Sequence, residues 1–348
     1  VTTVSAAEAV RRQMTGTTHR MLSLPIVVLM PHSGCNCRCV MCDIWKANQE
    51  RRLLTREDLA AQLASLRQLH VQRVVLSGGE ALMHPNLWQL CGLLKELPVR
   101  ITLLSTGLLL GVHAQNVVRW CDEVIVSLDG SQPVHDAIRR VPRAYERLRQ
   151  AIAVLRQTSP TMPVSARCVI QRANFRDLPN IVQTAHELGL DRISFLAADV
   201  SSTAFNRPTP WGDERSSEVA LSLEETAELH DLVETLIDRN ADDFASGFIA
   251  ERPDKLRRVP RYFAALHGQG AFPTPRCNAP WVSTVVEADG TVRPCFFHAP
   301  LGSIKEQSLA SILNGPAAIA FRRSLDVEQD PICRTCVCSL TLGRRAPA

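Results

Sequence analysis

Residues 35–42 read Cys35-Asn36-Cys37-Arg38-Cys39-Val40-Met41-Cys42, and Cys35, Cys39 and Cys42 stand at the spacing C-x3-C-x2-C. Three thiolates on one short loop hold three irons of a four-iron cube and leave the fourth iron open to another ligand. A structural zinc knuckle is the competing reading, but a closed zinc site needs a fourth ligand close by. His32 and Cys37 are the residues at hand for that position, and spacing places Cys37 outside the cluster set.

Outward from this loop the chain alternates short β-rich runs with amphipathic helical stretches, the pattern of βα units around a parallel sheet. The expected strands are Leu24–Met30, Arg73–Leu76, Arg100–Leu104, Glu123–Leu128, Val164–Ile170 and Arg192–Leu196. Six strands are too few to close an eight-stranded barrel. Helix grammar lies between them: Thr55 with Asp58, and Ser222 with Glu225, are capping boxes, and Gly189 is a C-cap. The Ser-, Thr- and Pro-rich stretch 198–221 predicts a long loop at the carboxyl end of the sixth strand, where barrels bind substrate. Ser77-Gly78-Gly79-Glu80 follows the second strand directly, and paired glycines allow a backbone to approach a ligand closely.

The three-cysteine loop followed by Gly78-Gly79-Glu80 after the next strand resembles the radical S-adenosylmethionine (SAM) superfamily. The resemblance implies an α/β fold, a partial (β/α)6 TIM-like barrel, with the cluster loop after the first strand. It also implies that SAM closes the fourth iron of a [4Fe–4S] cluster and is reductively cleaved to a 5′-deoxyadenosyl radical, so that the cofactor carries the difficult chemistry. By the same resemblance Gly78, Gly79 and Glu80 hold the SAM amino group, Ser127 and Asp129 the ribose, and Thr106 or Arg167 the carboxylate, with Met41 beside the adenine. A local reading competes at several of these positions: Ser and Thr cap helices, Asp129 makes a turn with Gly130, and Met41 fills core. A flavodoxin- or ferredoxin-type reductant is the implied protein partner.

Cys277, Cys295, Cys333 and Cys336 form a second set, C-x17-C-x37-C-x2-C, with an expected hairpin from Ser283–Glu287 through Asp289-Gly290 to Thr291–Arg293. A four-thiolate site suits either a [4Fe–4S] cluster or zinc. Following a radical SAM barrel, the pattern resembles the Twitch and SPASM extensions, and one auxiliary [4Fe–4S] cluster is the economical count. Cys338 is then spare, or replaces Cys336. Full thiolate ligation favours electron transfer, because no iron is left open.

The chain has 348 residues, 45% of them apolar, which accommodates one large core domain and a smaller appendage. The expected division is an N-terminal extension 1–23, a radical SAM partial barrel 24–240, a bridging segment 241–275, a small Cys-rich auxiliary-cluster domain 276–340 and a tail 341–348. A net charge of +4 spread over scattered Arg pairs gives no basis for nucleic acid as substrate. No apolar run reaches membrane-spanning length and no signal peptide is evident, so a cytoplasmic location is expected. Twelve cysteines in such a compartment argue for metal binding over disulfides, with Cys91, Cys121 and Cys168 read as buried core.

The functional expectation is hydrogen abstraction from a peptide or small-molecule substrate, giving dehydrogenation or bond formation with the auxiliary cluster as electron acceptor. A redox-neutral epimerase or rearrangement enzyme is the alternative, with Cys37 or Cys338 returning hydrogen. A non-enzymatic iron–sulfur or zinc protein is disfavoured by Gly78-Gly79-Glu80. The 23 residues before the first strand are too few for a fused peptide-recognition domain, which favours a small molecule or a peptide delivered by a separate protein.

Overall fold

The strands form where β-branched residues cluster, and their alternation decides which residues reach the interior. In the computed structural model, which describes residues 5–343, the parallel strands are β1 Ile26–Leu29, β2 Arg73–Leu76, β3 Arg100–Ser105, β4 Glu123–Ser127, β5 Val164–Ile170 and β6 Arg192–Ala197. Each differs from its sequence expectation by no more than two residues at either end. Arg344, Arg345 and the rest of the tail from 344 on, with residues 1–4 of the N-terminal extension, lie outside the described residues.

One face of the sheet is sealed under helices by Val27, Leu29, Val74, Leu76, Ile101, Leu103, Val124 and Val126, all buried. The residues between them face the other way, into the lumen, because successive side chains point to opposite faces of a strand. That lumen is open on one side. The sheet order is β6-β5-β4-β3-β2-β1-β7-β8-β9, where β7 is Ser283–Val286, β8 Thr291–Arg293 and β9 Gly302–Ser303. β7 pairs parallel to β1 with Ile26 opposite Ser283, and β7 and β8 form the expected antiparallel hairpin. The C-terminal segment therefore continues the barrel sheet, a pairing of strands more than 250 residues apart in sequence that no local pattern discloses.

Both expected capping boxes are present, at Thr55 with Asp58 and at Ser222 with Glu225. Three regions to which the sequence analysis assigns no helix hold helices. The N-terminal extension contains Ala6–Thr18, and the 198–221 loop contains Asp213–Val219. The bridge contains Ala241–Ser246, Pro253–Leu256 and Arg258–Leu266, helices too short for a periodic pattern to emerge around their Pro and Gly residues. Cys91, Cys121 and Cys168 are buried in the core as expected. No helix among the described residues is long and apolar enough to cross a membrane.

Candidate metal and cofactor site

The cysteine loop leaves the carboxyl end of β1 and is fixed by main-chain contacts on both flanks. Asn48 clamps Cys35, its Oδ1 accepting from Cys35 N at 2.8 Å and its Nδ2 donating to Cys35 O at 2.9 Å. Val40 N donates to Ile138 O at 3.0 Å and Arg38 N to Arg139 O at 3.2 Å. The glycine pair after β2 packs directly on this loop: a Cβ on Gly79 would lie 1.9 Å from Gly34 O, and Gly78 has φ of +114°. No other residue type fits there without moving backbone.

Cys35, Cys39 and Cys42 line a cavity of about 230 Å3 with Met41, Ser77, Gly78, Gly79, Thr106, Ser127 and Arg167. Cys37 is 1% exposed and packs beside Leu108 and Ala144. Contacts with Cys35 and Cys39 push its thiol far up, whereas Cys37 and Arg139 lower Cys39 to about 6. Burial pushes Cys42 up to about 12, so this sulfur ionises only beside a compensating cation. Asn36 Nδ2 is buried with no partner. Three thiols on one cavity, with an unsatisfied donor on the same loop, fit an iron–sulfur cluster.

Two of the expected SAM contacts sit behind the cavity. Glu80 is fully buried and accepts from Thr106 N at 2.6 Å, Thr106 Oγ1 at 2.7 Å, Leu82 N at 3.1 Å and Ser105 Oγ at 3.1 Å. Burial pushes its carboxyl up and these donors pull it back. Replacing Glu80 with Ala strands several of these donors at once and is expected to cost about 3 kcal/mol or more. Thermal unfolding of the reconstituted protein reads this directly: Glu80→Ala should melt well below wild type, and an unchanged midpoint would show that the carboxylate is not the brace between β2 and β3.

Asp129 is likewise fully buried; its Oδ1 accepts from Val169 N at 3.1 Å and its Oδ2 lies 2.5 Å from Arg139 Nη2. Arg139, not singled out by its sequence, donates through Nη1 to Cys39 Sγ at 3.4 Å. The only sequence signal there was an Arg pair at 139–140, which reads as solvated surface.

The loop after β6 closes over the cysteine loop. Arg207 has a fully buried side chain, pairs with Asp199 at 2.7 Å, stacks on Trp211 at 3.7 Å and donates to Met41 O at 3.3 Å. Trp211 Nε1 reaches Asp43 Oδ2 at 2.9 Å, and Arg215 bonds Val40 O. Phe205 and Asn206 adopt φ of 61° and 65°, a conformation costly for residues with a Cβ. It brings the Phe205 ring to the wall of the cavity.

Cys277, Cys295, Cys333, Cys336 and Cys338 line a second cavity, of about 1300 Å3, which occupies the lumen. Burial pushes Cys295 up to about 11 and Cys333 up to about 12, so these sulfurs also need a cation to ionise. Five thiols on one wall fit a four-thiolate centre with one spare. Cys336 Sγ lies 2.9 Å from Cys338 O, and both residues stay at the wall. His298 was not foreseen; its Nε2 is 3.4 Å from Cys333 Sγ and 3.8 Å from Asp330 Oδ1. A lone His in the hairpin region carries no spacing signal to mark it.

The family model for the radical SAM superfamily matches residues 29–185, and that for the SPASM iron–sulfur cluster-binding domain matches residues 277–337. An AdoMet-dependent heme synthase of Methanosarcina barkeri is 24% identical over 312 residues, covering 85% of this chain and 83% of that protein. The sporulation killing factor maturation protein SkfB of Bacillus subtilis is 23% identical over 303 residues, covering 83% of this chain and 65% of that protein. The fold matches that of Streptococcus suis SuiB bound to S-adenosylmethionine with a TM-score of 0.64 at 14% identity, over 96% of this chain and 77% of SuiB. The first domain implies SAM and a [4Fe–4S] cluster, and the second implies further iron–sulfur. The chain is an enzyme of the radical SAM superfamily with a C-terminal SPASM domain.

Proposed function

We propose that this enzyme oxidises a substrate held in the lumen between two iron–sulfur centres. Cys35, Cys39 and Cys42 would hold the SAM-binding cluster, and Cys277, Cys295, Cys333 and Cys336 one auxiliary [4Fe–4S] cluster. When bound, SAM and its cluster would supply a 5′-deoxyadenosyl radical able to take a hydrogen atom from substrate, and an auxiliary cluster would supply an acceptor for the electron left behind as a proton leaves, a net two-electron oxidation. The observation that carries this reading is that the two cavities share Ser77, Leu104, Ile125 and Arg167. A molecule resting on those four side chains faces the three-cysteine loop on one side and the auxiliary cysteines on the other.

The chain's own residues divide the work. Gly78 and Gly79 offer main-chain groups to the SAM amino group, with Glu80 holding their loop rigid from behind. Ser127 presents a hydroxyl to the ribose and Arg167 its free Nη groups to the carboxylate, since the Thr106 hydroxyl already donates to Glu80, and Met41 packs near the base. Asp129 acts through Arg139, fixing the guanidinium against Cys39. Arg207 and Trp211 hold the β6 loop down on the cysteine loop, excluding water from a site whose radical would otherwise be quenched.

Relatives divide between heme synthesis and maturation of a killing factor, so both a small molecule and a peptide are within the proposed range. A flavodoxin- or ferredoxin-type protein would deliver the electron. The redox-neutral alternative rests on Cys338, which lines the lumen, since Cys37 is buried and is not among the residues that line either cavity.

Anaerobic reconstitution tests the reading. The protein should take up about eight irons as two four-iron clusters, and with SAM and dithionite it should release methionine and 5′-deoxyadenosine in equal amounts. Failure to release 5′-deoxyadenosine from protein carrying its full iron would exclude the radical chemistry.

A further inference from the structure

His298 stands three residues beyond Cys295, where the chain turns away from β8. It is 5% exposed, and its main chain and its ring are each held in place. Arg293 Nη1 donates to His298 O at 3.1 Å, and Arg293 is itself fixed through Nε on Glu287 Oε1 at 2.7 Å. The ring meets Phe321, on the helix Pro316–Ser324, edge to face with centroids 5.0 Å apart. An imidazole buried in this way needs a partner for its N–H.

Two acceptors lie near Nε2: Cys333 Sγ at 3.4 Å and Asp330 Oδ1 at 3.8 Å. The longer separation is beyond hydrogen-bond range for oxygen, whereas the shorter is within reach of the larger sulfur. Asp330 Oδ1 is moreover occupied by Ile332 N at 3.0 Å and Cys333 N at 2.9 Å, as the cap of the short helix Pro331–Arg334 that carries Cys333. The imidazole proton therefore goes to sulfur. A metal-bound thiolate has no proton to donate, so the tautomer that fits carries its hydrogen on Nε2. The same residue also acts on a second sulfur. Burial raises the Cys295 thiol, and the main-chain N–H groups of Phe297 and His298 pull it back. His298 thus bears on two of the four sulfurs assigned to the auxiliary centre, one through its side chain and one through its main chain.

We propose that His298 is a positioning residue for the auxiliary centre, whose Nε2–H donates to Cys333 Sγ and raises the reduction potential of the cluster those cysteines hold. A donor on a cluster sulfur draws negative charge from it and so stabilises the more negative, reduced state. The Asp330 carboxylate works in the opposite sense, because its charge stands beside the same sulfur. His298 offsets that charge without giving up its proton: the cluster gains one electron from the substrate radical, and Nε2–H stays as it is. The proposal rests on the auxiliary-cluster reading and deepens it by naming the residue that fits the centre to accept that electron.

The test uses the full chain with Cys35, Cys39 and Cys42 replaced by Ala and reconstituted anaerobically, so that the auxiliary cluster alone gives an electron paramagnetic resonance signal. Potentiometric titration of that signal reads the midpoint potential. Adding His298→Ala should lower the reduced-to-oxidised ratio at a fixed potential at least tenfold, a shift of about 59 mV for one electron, with about four irons retained. His298→Gln keeps an N–H donor on a side chain of similar reach and should recover part of the shift. Pulsed resonance on protein with His298 intact should show a weak histidine nitrogen coupling that both variants lose. An unchanged midpoint in His298→Ala, or a fall that Gln does not relieve, would overturn the proposal. Loss of iron from both variants, or a strong nitrogen coupling with His298 intact, would make His298 a ligand and overturn it too. A chain that holds zinc or no cluster at the second site sinks the auxiliary-cluster reading and this proposal with it, whereas a cluster with an unchanged midpoint costs only the role of His298.

Discussion

Replacing Cys35, Cys39 and Cys42 together with Ala should abolish SAM cleavage and remove about half of the bound iron, about four atoms of eight. The expectation is large because nothing nearby can substitute. Cys37 is the one other thiol on the loop; it contacts Cys35 and Cys39, but a single sulfur cannot supply the three ligands that such a cluster takes from this loop. The fold itself should persist, since the loop is held through Asn48, the main chain and the β6 loop, contacts that do not use the three sulfurs. The measurements are iron content, the electron paramagnetic resonance of the dithionite-reduced protein and 5′-deoxyadenosine release. Loss of one signal with retention of a second, and no detectable 5′-deoxyadenosine, is the expected outcome. Wild-type SAM cleavage by the triple variant would refute the assignment of the radical-generating cluster.

The parts of the molecule legible in the sequence are those written in local patterns. Each strand from β1 to β6 is a short run of four to seven residues dominated by β-branched and other apolar side chains, and each capping box is a four-residue signature, so both were located closely. The cysteine spacing and the glycine pair are also local, and the structure brings them onto one cavity. What escaped depends on partners far away in the chain. The pairing of β7 with β1 depends on the whole intervening barrel having folded, and neither strand's composition announces its neighbour. The surroundings of Glu80 and Asp129 were hidden in the same way, because the donors around each carboxylate come from other strands and from Arg139.

Cys295→Ala should separate radical formation from product formation. Cys295 sits just beyond the β7–β8 hairpin, and that hairpin is anchored to β1 by parallel pairing, so removing one sulfur leaves the wall of the lumen standing. The variant should hold about four irons in place of about eight, and 5′-deoxyadenosine should still form, because Cys35, Cys39 and Cys42 lie on the other cavity. With no acceptor for the second electron, product formed per 5′-deoxyadenosine should fall by about a hundredfold or more, equivalent to about 2.7 kcal/mol on the productive branch. The same variant decides between the two reaction classes. An epimerisation that returns hydrogen from Cys338 needs no electron acceptor, so its yield would survive the loss of the auxiliary cluster and collapse instead in Cys338→Ala. Parallel measurement of iron, 5′-deoxyadenosine and product in the two single variants therefore reads out the mechanism: sensitivity to Cys295 with tolerance of Cys338→Ala establishes net oxidation, and the reverse pattern, or zinc at the second site in natively purified protein, would overturn it.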